Sequence, residues 1–151
     1  MKKAIKFILV VLWMTLIFSF SAQNAEQSGD LSNGIIVKIA SLFVSDDLTP
    51  EMQMMYIHKF SFILRKTAHF TVYLVLGVLV WSFLKEFQLK HIAVIALIIC
   101  CLYSISDEYH QTFVPGRSGE VRDVCVDTSG ALLGIAGITA VDEILKKRRK
   151  K

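Results

Sequence analysis

The sequence predicts an all-α polytopic membrane protein, a bundle of four transmembrane helices plus a short extracytoplasmic interfacial helix. Three observations predict it. The chain is 54% apolar with a mean hydropathy of +0.52, above the usual soluble range. Its apolar residues gather into runs that cross or nearly cross a bilayer. Most of its basic residues cluster at one set of ends of those runs, and most of its acids lie on the other side. At 151 residues the length corresponds to one domain. A soluble core of buried strands is the competing reading, since such strands also appear as apolar runs.

Residues 7–22 form an apolar stretch behind a basic start, which suits a signal peptide or a first membrane helix. The only small-x-small exit is Ser19-Phe20-Ser21, a weak cleavage site, so residues 1–22 are read as a retained first helix and possible signal anchor. Residues 23–65 are an extracytoplasmic segment with amphipathic helices. There Leu31, Ile35, Ile36, Ile39, Ala40 and Phe43 recur at helical spacing, the pattern of an interfacial helix. Asp46-Asp47 ends that run. Thr49-Pro50-Glu51 then reads as an N-cap, a first-turn proline and an acid at the positive end of the helix dipole. A helix starting near Pro50 is free to continue into the second crossing, 67–84. The third crossing is 92–106 and the fourth 124–141, giving a core of three helices over 66–142 and a basic tail over 143–151.

The formal charge is +4, and its distribution decides what it means. Six of the seventeen basic residues are Lys146 to Lys151; Lys2, Lys3 and Lys6 open the chain, and Lys85 and Lys90 flank the loop between the second and third crossings. Under the positive-inside rule these mark cytoplasmic ends, placing both termini on the inner side of a cell membrane. Ten of the thirteen acids then lie outside. A nucleic-acid partner would need basic residues interleaved with aromatics on a folded face, and none are arranged so. Cys100, Cys101 and Cys125 lie in apolar surroundings and read as small hydrophobes rather than redox groups. No cofactor is expected.

The chemistry is concentrated in residues 106–127, a polar block between two apolar runs. Ionisable groups at membrane depth are costly unless paired or used, which makes the block a candidate site. Three helix stripes point toward it. Lys66, His69, Tyr73 and Gly77 share one face of the second crossing, Ser104, Asp107, Glu108 and Gln111 one face of the third, and Asp123, Asp127, Gly130, Gly134 and Gly137 one face of the fourth. Glycine lets helices approach closely, so Gly77 and Gly130-x-x-x-Gly134 are expected to be packing seams that draw the polar ends into one outward pocket. Each residue has a plainer reading. His69 suits a satisfied interfacial histidine, Tyr73 a headgroup anchor, Lys66 a snorkelling lysine and Asp123 a dipole-favoured helix start. Asp127, one turn inside an apolar run, is expected to pair with Lys66, Arg117 or Arg122. Pro115-Gly116 signals a turn that displays Arg117, either for bidentate capture of carboxylate or phosphate or as a bridge to Asp107, Glu108 or Asp123.

The pattern Arg65-Lys66-x-x-His69-Phe70-x-x-Tyr73, then Asp107-Glu108-x-His110-Gln111-x-Phe113-x-Pro115-Gly116-Arg117-x-Gly119, then Asp123-Val124-x-x-Asp127-x-x-Gly130 resembles the VanZ family. The resemblance spans about residues 65–137, and the first helix with Trp13 is similar to the family's N-terminal segment. Asp127 departs from it, asparagine being expected there. The resemblance implies a small bacterial multi-pass membrane protein of a family named for lowered susceptibility to the lipoglycopeptide teicoplanin. It carries over architecture, not activity.

Three functions compete on the residues themselves. In the first, Lys66 and Arg117, with Arg122, hold the phosphate of an anionic envelope lipid or wall polymer, oriented by His69, Asp107, Glu108 and Gln111. In the second, the protein is an intramembrane enzyme with His69 or Glu108 as general acid/base and Arg117 stabilising developing charge. Ser118 has no identifiable base, and the motif trio of membrane lipid phosphatases is missing. A metal version would use His69, His110, Asp107 and Glu108, but Glu108 and His110 do not share a helix face, so no metal is expected. In the third, the cluster is a buried charge network in a packing partner for another membrane protein. A transporter lacks support, because the cytoplasmic halves of the helices offer no ionisable path.

Overall fold

The computed structural model describes residues 2–42 and 49–149, without the side chains of Ala25, Gln27 and Leu31. Five helices make up these residues: α1 (Lys2–Ser21), α2 (Ala25–Ala40), α3 (Pro50–Leu84), α4 (Ile92–Gln111) and α5 (Val121–Arg149), with a 3-10 turn at Lys85–Phe87. There is no strand among them. Four of the five, all but α2, are long and apolar enough to span a bilayer. Phe43, Asp46-Asp47 and Lys150-Lys151 lie outside the described residues, as does the side chain of Leu31.

Thr49 caps α3, its Oγ1 accepting from the Met52 amide at 3.4 Å, and Pro50 occupies the first turn. From there α3 runs unbroken for 35 residues, roughly 50 Å at 1.5 Å per residue. That exceeds a hydrocarbon core of ~30 Å, and measuring the core back from Leu84 ends it near Arg65. The N-terminal turns of α3 therefore project past the bilayer. They pack against α2, which buries Ile36 and Ser32 while Ile35 and Ile39 remain exposed.

α3 is the hub, packing against all four other helices. α5 lies parallel to it in constant register, from Lys66 beside Asp123 to Lys85 beside Asp142. Glycine permits this approach. A Cβ on Gly130 or Gly134 would overlap the carbonyl oxygens of Phe70 and Leu74, and one on Gly77 would stand 2.5 Å from that of Ala131. Gly137 is off the seam, with open space where its Cβ would be; the buried face continues through Ile135 and Ile138 instead. α4 buries Ala96, Cys100, Ser104, Asp107, Glu108 and Gln111 and exposes Val94, Ile98, Leu102 and Ile105, an exterior of the polarity that lipid tails require. Side chain to backbone bonds join α1 to the bundle, two of them near the middle of the helix. Trp13 Nε1 donates to Val72 O at 2.9 Å, and Tyr103 Oη donates to Met14 O at 2.6 Å.

The basic residues at the other end of the bundle are partly neutralised. Lys6 donates to Glu86 and to Ser82 O, and Asp142 pairs with Lys85 and Lys146.

Candidate functional site

The polar stripes of α3, α4 and α5 converge at one end of the bundle in stacked tiers. In the tier nearest the end, Lys66 forms an ion pair with Asp123 and lies 3.8 Å from Glu120. Phe62 lies under both Lys66 and Arg122, the latter 4.9 Å from the ring centroid. One turn deeper, His69 Nδ1 stands 3.4 Å from Asp127 Oδ1, without hydrogen-bond alignment. Ser104 Oγ donates to the other oxygen of Asp127 at 2.8 Å. Below lies Tyr73, fully buried with its ring 6.1 Å from that of Tyr103.

Asp127 thus differs from its expected pairing with Lys66, Arg117 or Arg122. The register explains this: Lys66 is level with Asp123, a full turn above Asp127, so histidine is the residue that reaches it. Arg122 is occupied with Phe62.

The link between α4 and α5 is folded back onto α4. Val114 O accepts from Arg117 N at 3.1 Å around Pro115-Gly116, and Gly116 has φ 74°, the left-handed value a type II turn requires at its third position. Gly119 lies against the Glu108 carbonyl, leaving no room for a Cβ. Glu108 secures the start of α5. Its Oε2 accepts from Glu120 N at 3.0 Å and its Oε1 from Gln111 Nε2 at 3.1 Å. Arg117 bridges none of the acids expected for it. Its guanidinium donates to Ser21 O at 3.1 Å and Ser28 Oγ at 3.2 Å, tying the loop to the end of α1 and the start of α2. Burial pushes the Arg117 guanidinium below its ordinary value, and neighbouring Arg65 adds to that, against the pull of Glu108, Asp107 and Asp123. Two guanidiniums lining the same clefts favour an anion there.

Two clefts open here. One, of about 150 Å³, is polar and is lined by Arg65, Lys66, His69, Gln111, Arg117 and Asp123 among others. The second, of about 210 Å³, is mostly apolar and lies among α1, α2 and α3, with Ile17, Phe20, Ile35, Leu64 and Val72 in its wall and Asp107 at its edge. Arg65, His69 and Arg117 line both.

The family model described as VanZ/LLP1 matches residues 6–142. The chain belongs to the VanZ/LLP1 family. The match runs well beyond the motif-bearing half and takes in α1 and α2. No curated protein and no solved structure matches the chain. With four helices long and apolar enough to span a bilayer, this VanZ/LLP1-family member is a multi-pass membrane protein.

Of the nine residues the sequence singled out, Lys66, His69, Gln111, Arg117 and Asp123 line the polar cleft and Asp107 the apolar one. Glu108, Asp127 and Tyr73 lie behind those walls, buried. His110 is set apart on the α1 side, its ring 4.3 Å from that of Phe18. Asp107 and Glu108 also diverge, as consecutive helical residues must: one reaches toward α1 and α2, the other toward the start of α5. Arg65, though part of the quoted motif, was not singled out for the site. It makes no ion pair among the described residues. Ser21 and Ser28 also lay outside the prediction, because only the folded chain brings them to Arg117. A basic pair at the level where α3 leaves the bilayer was the signal that could have found Arg65.

Proposed function

We propose that this VanZ/LLP1-family protein binds the phosphate-bearing head of an anionic cell-envelope lipid or wall polymer in a pocket facing out of the cell. The observation that carries this reading is the pair of adjoining clefts, one polar and one apolar, with Arg65, His69 and Arg117 in the wall of both. That is the shape and polarity of a charged head joined to an acyl or isoprenoid chain. Arg65 and Arg117 hold the phosphate, a guanidinium being suited to bidentate oxygen contacts. Lys66, held by Asp123, sets the rim. Orientation follows from the basic tail and N-terminus, which the positive-inside rule places in the cytoplasm of a bacterial cell. Lowered susceptibility to teicoplanin-type lipoglycopeptides is the cellular expression of such binding, since those antibiotics work on the same envelope surface.

Native mass spectrometry of the protein from its own membranes, beside folded Arg65→Ala/Lys66→Ala and Arg117→Ala variants, tests this. An anionic lipid retained by wild type and lost from the variants is the expected result. Equal retention in all three, or bare protein throughout, overturns it.

One observation favours a second reading. Arg117 already makes two internal hydrogen bonds and Lys66 an ion pair, so the polar network also suits a scaffold that docks another membrane protein. A single crosslinked partner without bound lipid would establish that role.

A further inference from the structure

Buried carboxylates outnumber the cations that face them. Asp107, Glu108 and Asp127 are 2%, 4% and 0% exposed. Lys66 pairs with Asp123, Arg117 donates to Ser21 and Ser28 and Arg122 lies over Phe62. Among the described residues no lysine or arginine pairs with any of the three. Leaving such charges uncompensated at membrane depth is expensive.

Three side chains, one from each of α3, α4 and α5, gather at this point. His69, Glu108 and Asp127 each offer one ligand atom, all within 4.8 Å of one another. Asp127 Oδ1 is buried and receives no hydrogen bond; nor does His69 Nδ1, 3.4 Å away. We propose that His69, Glu108 and Asp127 form a site for one divalent transition-metal cation of the zinc or manganese class.

The donor set supports it. One imidazole nitrogen and two carboxylate oxygens suit these borderline ions, and their two negative charges match a divalent cation. Metal bonds near 2.1 Å place neighbouring ligands ~3.4 Å apart, so small side-chain rotations close the cluster. An outer shell is already in place. Ser104 holds one oxygen of Asp127, while Gln111 and Glu120 N hold Glu108, the kind of bonding that orients ligating carboxylates. Three protein ligands leave coordination positions for water or a ligand oxygen, and His69, which lines both clefts, provides the approach. This differs from the set that sequence spacing suggested. His110 lies against Phe18 and Asp107 lines the apolar cleft, while Asp127 joins His69 and Glu108. The site does not depend on the lipid reading, and its test uses metal alone.

The full chain is purified in detergent without chelator, and its metal is measured by inductively coupled plasma mass spectrometry. Chelator-stripped protein is then titrated with Zn²⁺ and with Mn²⁺, followed by melting temperature. About one equivalent of bound metal and a rise in melting temperature are expected for wild type and for His110→Ala. Asp127→Asn and His69→Gln, near-isosteric replacements, should bind at least about tenfold more weakly. Co²⁺ added to stripped wild type should give visible absorption bands of a nitrogen- and oxygen-ligated ion, a readout independent of whether the variants fold. No uptake and no thermal shift in wild type, no Co²⁺ bands, or unchanged affinity in both folded variants would overturn the site and leave a proton-sharing network.

Discussion

A residue in this bundle matters through what its first atoms meet, and the glycines of α5 show it most simply. Gly134 lies where a Cβ would strike the Leu74 carbonyl, a backbone atom that moves only if α3 moves, whereas Gly137 faces open space. Gly134→Ala should cost about 1–3 kcal/mol through overpacking. Gly137→Ala should fall within ~0.5 kcal/mol of wild type or stabilise slightly, alanine being the better helix former. Melting of the two variants in one detergent tests this, and equal losses would refute the seam. Asp127 and His69 illustrate the converse, a deep pair 3.4 Å apart in which neither facing atom has a hydrogen-bond partner. Arg117 lines both clefts together with His69. Arg117→Lys keeps the charge and loses the fork that reaches Ser21 and Ser28 together. It should weaken lipid retention at least several-fold while leaving the helical circular dichroism unchanged. Retention equal to wild type would reduce Arg117 to a diffuse charge.

At the scale of elements, α1 is the informative case. Its sequence suits a signal peptide or a membrane helix, and its packing argues for permanent membership of the bundle. Trp13 and Tyr103 each give a hydrogen bond to a backbone carbonyl across helices, and Val10, Ile17 and Ser21 are buried. Interhelical hydrogen bonds in membranes average ~0.6 kcal/mol and reach ~1.7. Trp13→Phe should therefore lower stability by about 1 kcal/mol, and the double replacement with Tyr103→Phe by about the sum, since the two bonds lie on different neighbours. The protein isolated from membranes should retain residues 1–22. Intact mass measurement decides that, and loss of the segment would leave the Arg117 bridge to Ser21 without its acceptor. α3 combines a soluble beginning and a membrane ending in one helix. A capping box was not needed to start it; Thr49 and Pro50 suffice.

Taken whole, the molecule is polarised along the bundle axis. One end holds the carboxylates, the clefts and the returned loop; the other holds Lys6, Lys85 and Lys146 with the acids that partner them. On the proposed orientation, a cysteine placed at Ser118 in a cysteine-free background should react with a membrane-impermeant maleimide in intact cells. One placed at Lys147 should react only after lysis. The reverse labelling would invert the topology and move the clefts to the cytoplasm.

Helix number, membrane character and the polar faces were legible in the chain because apolar runs, caps and helical spacing are local. The stripe Ser104, Asp107, Glu108, Gln111 is buried as its spacing implied. Partner choice was not legible. That Lys66 meets Asp123 while His69 meets Asp127 depends on the parallel register of α3 and α5, set where Gly130 and Gly134 let two backbones touch. That Arg117 holds Ser21 and Ser28 depends on α1 and α2 docking beside a loop about ninety residues away in sequence. By itself the sequence determined which groups lie at membrane depth and on which helix face, since those follow from hydropathy and a period of 3.6 residues. Only tertiary structure decided which charges neutralise one another and which are left over, because that is settled by distances between helices, and no local pattern encodes them.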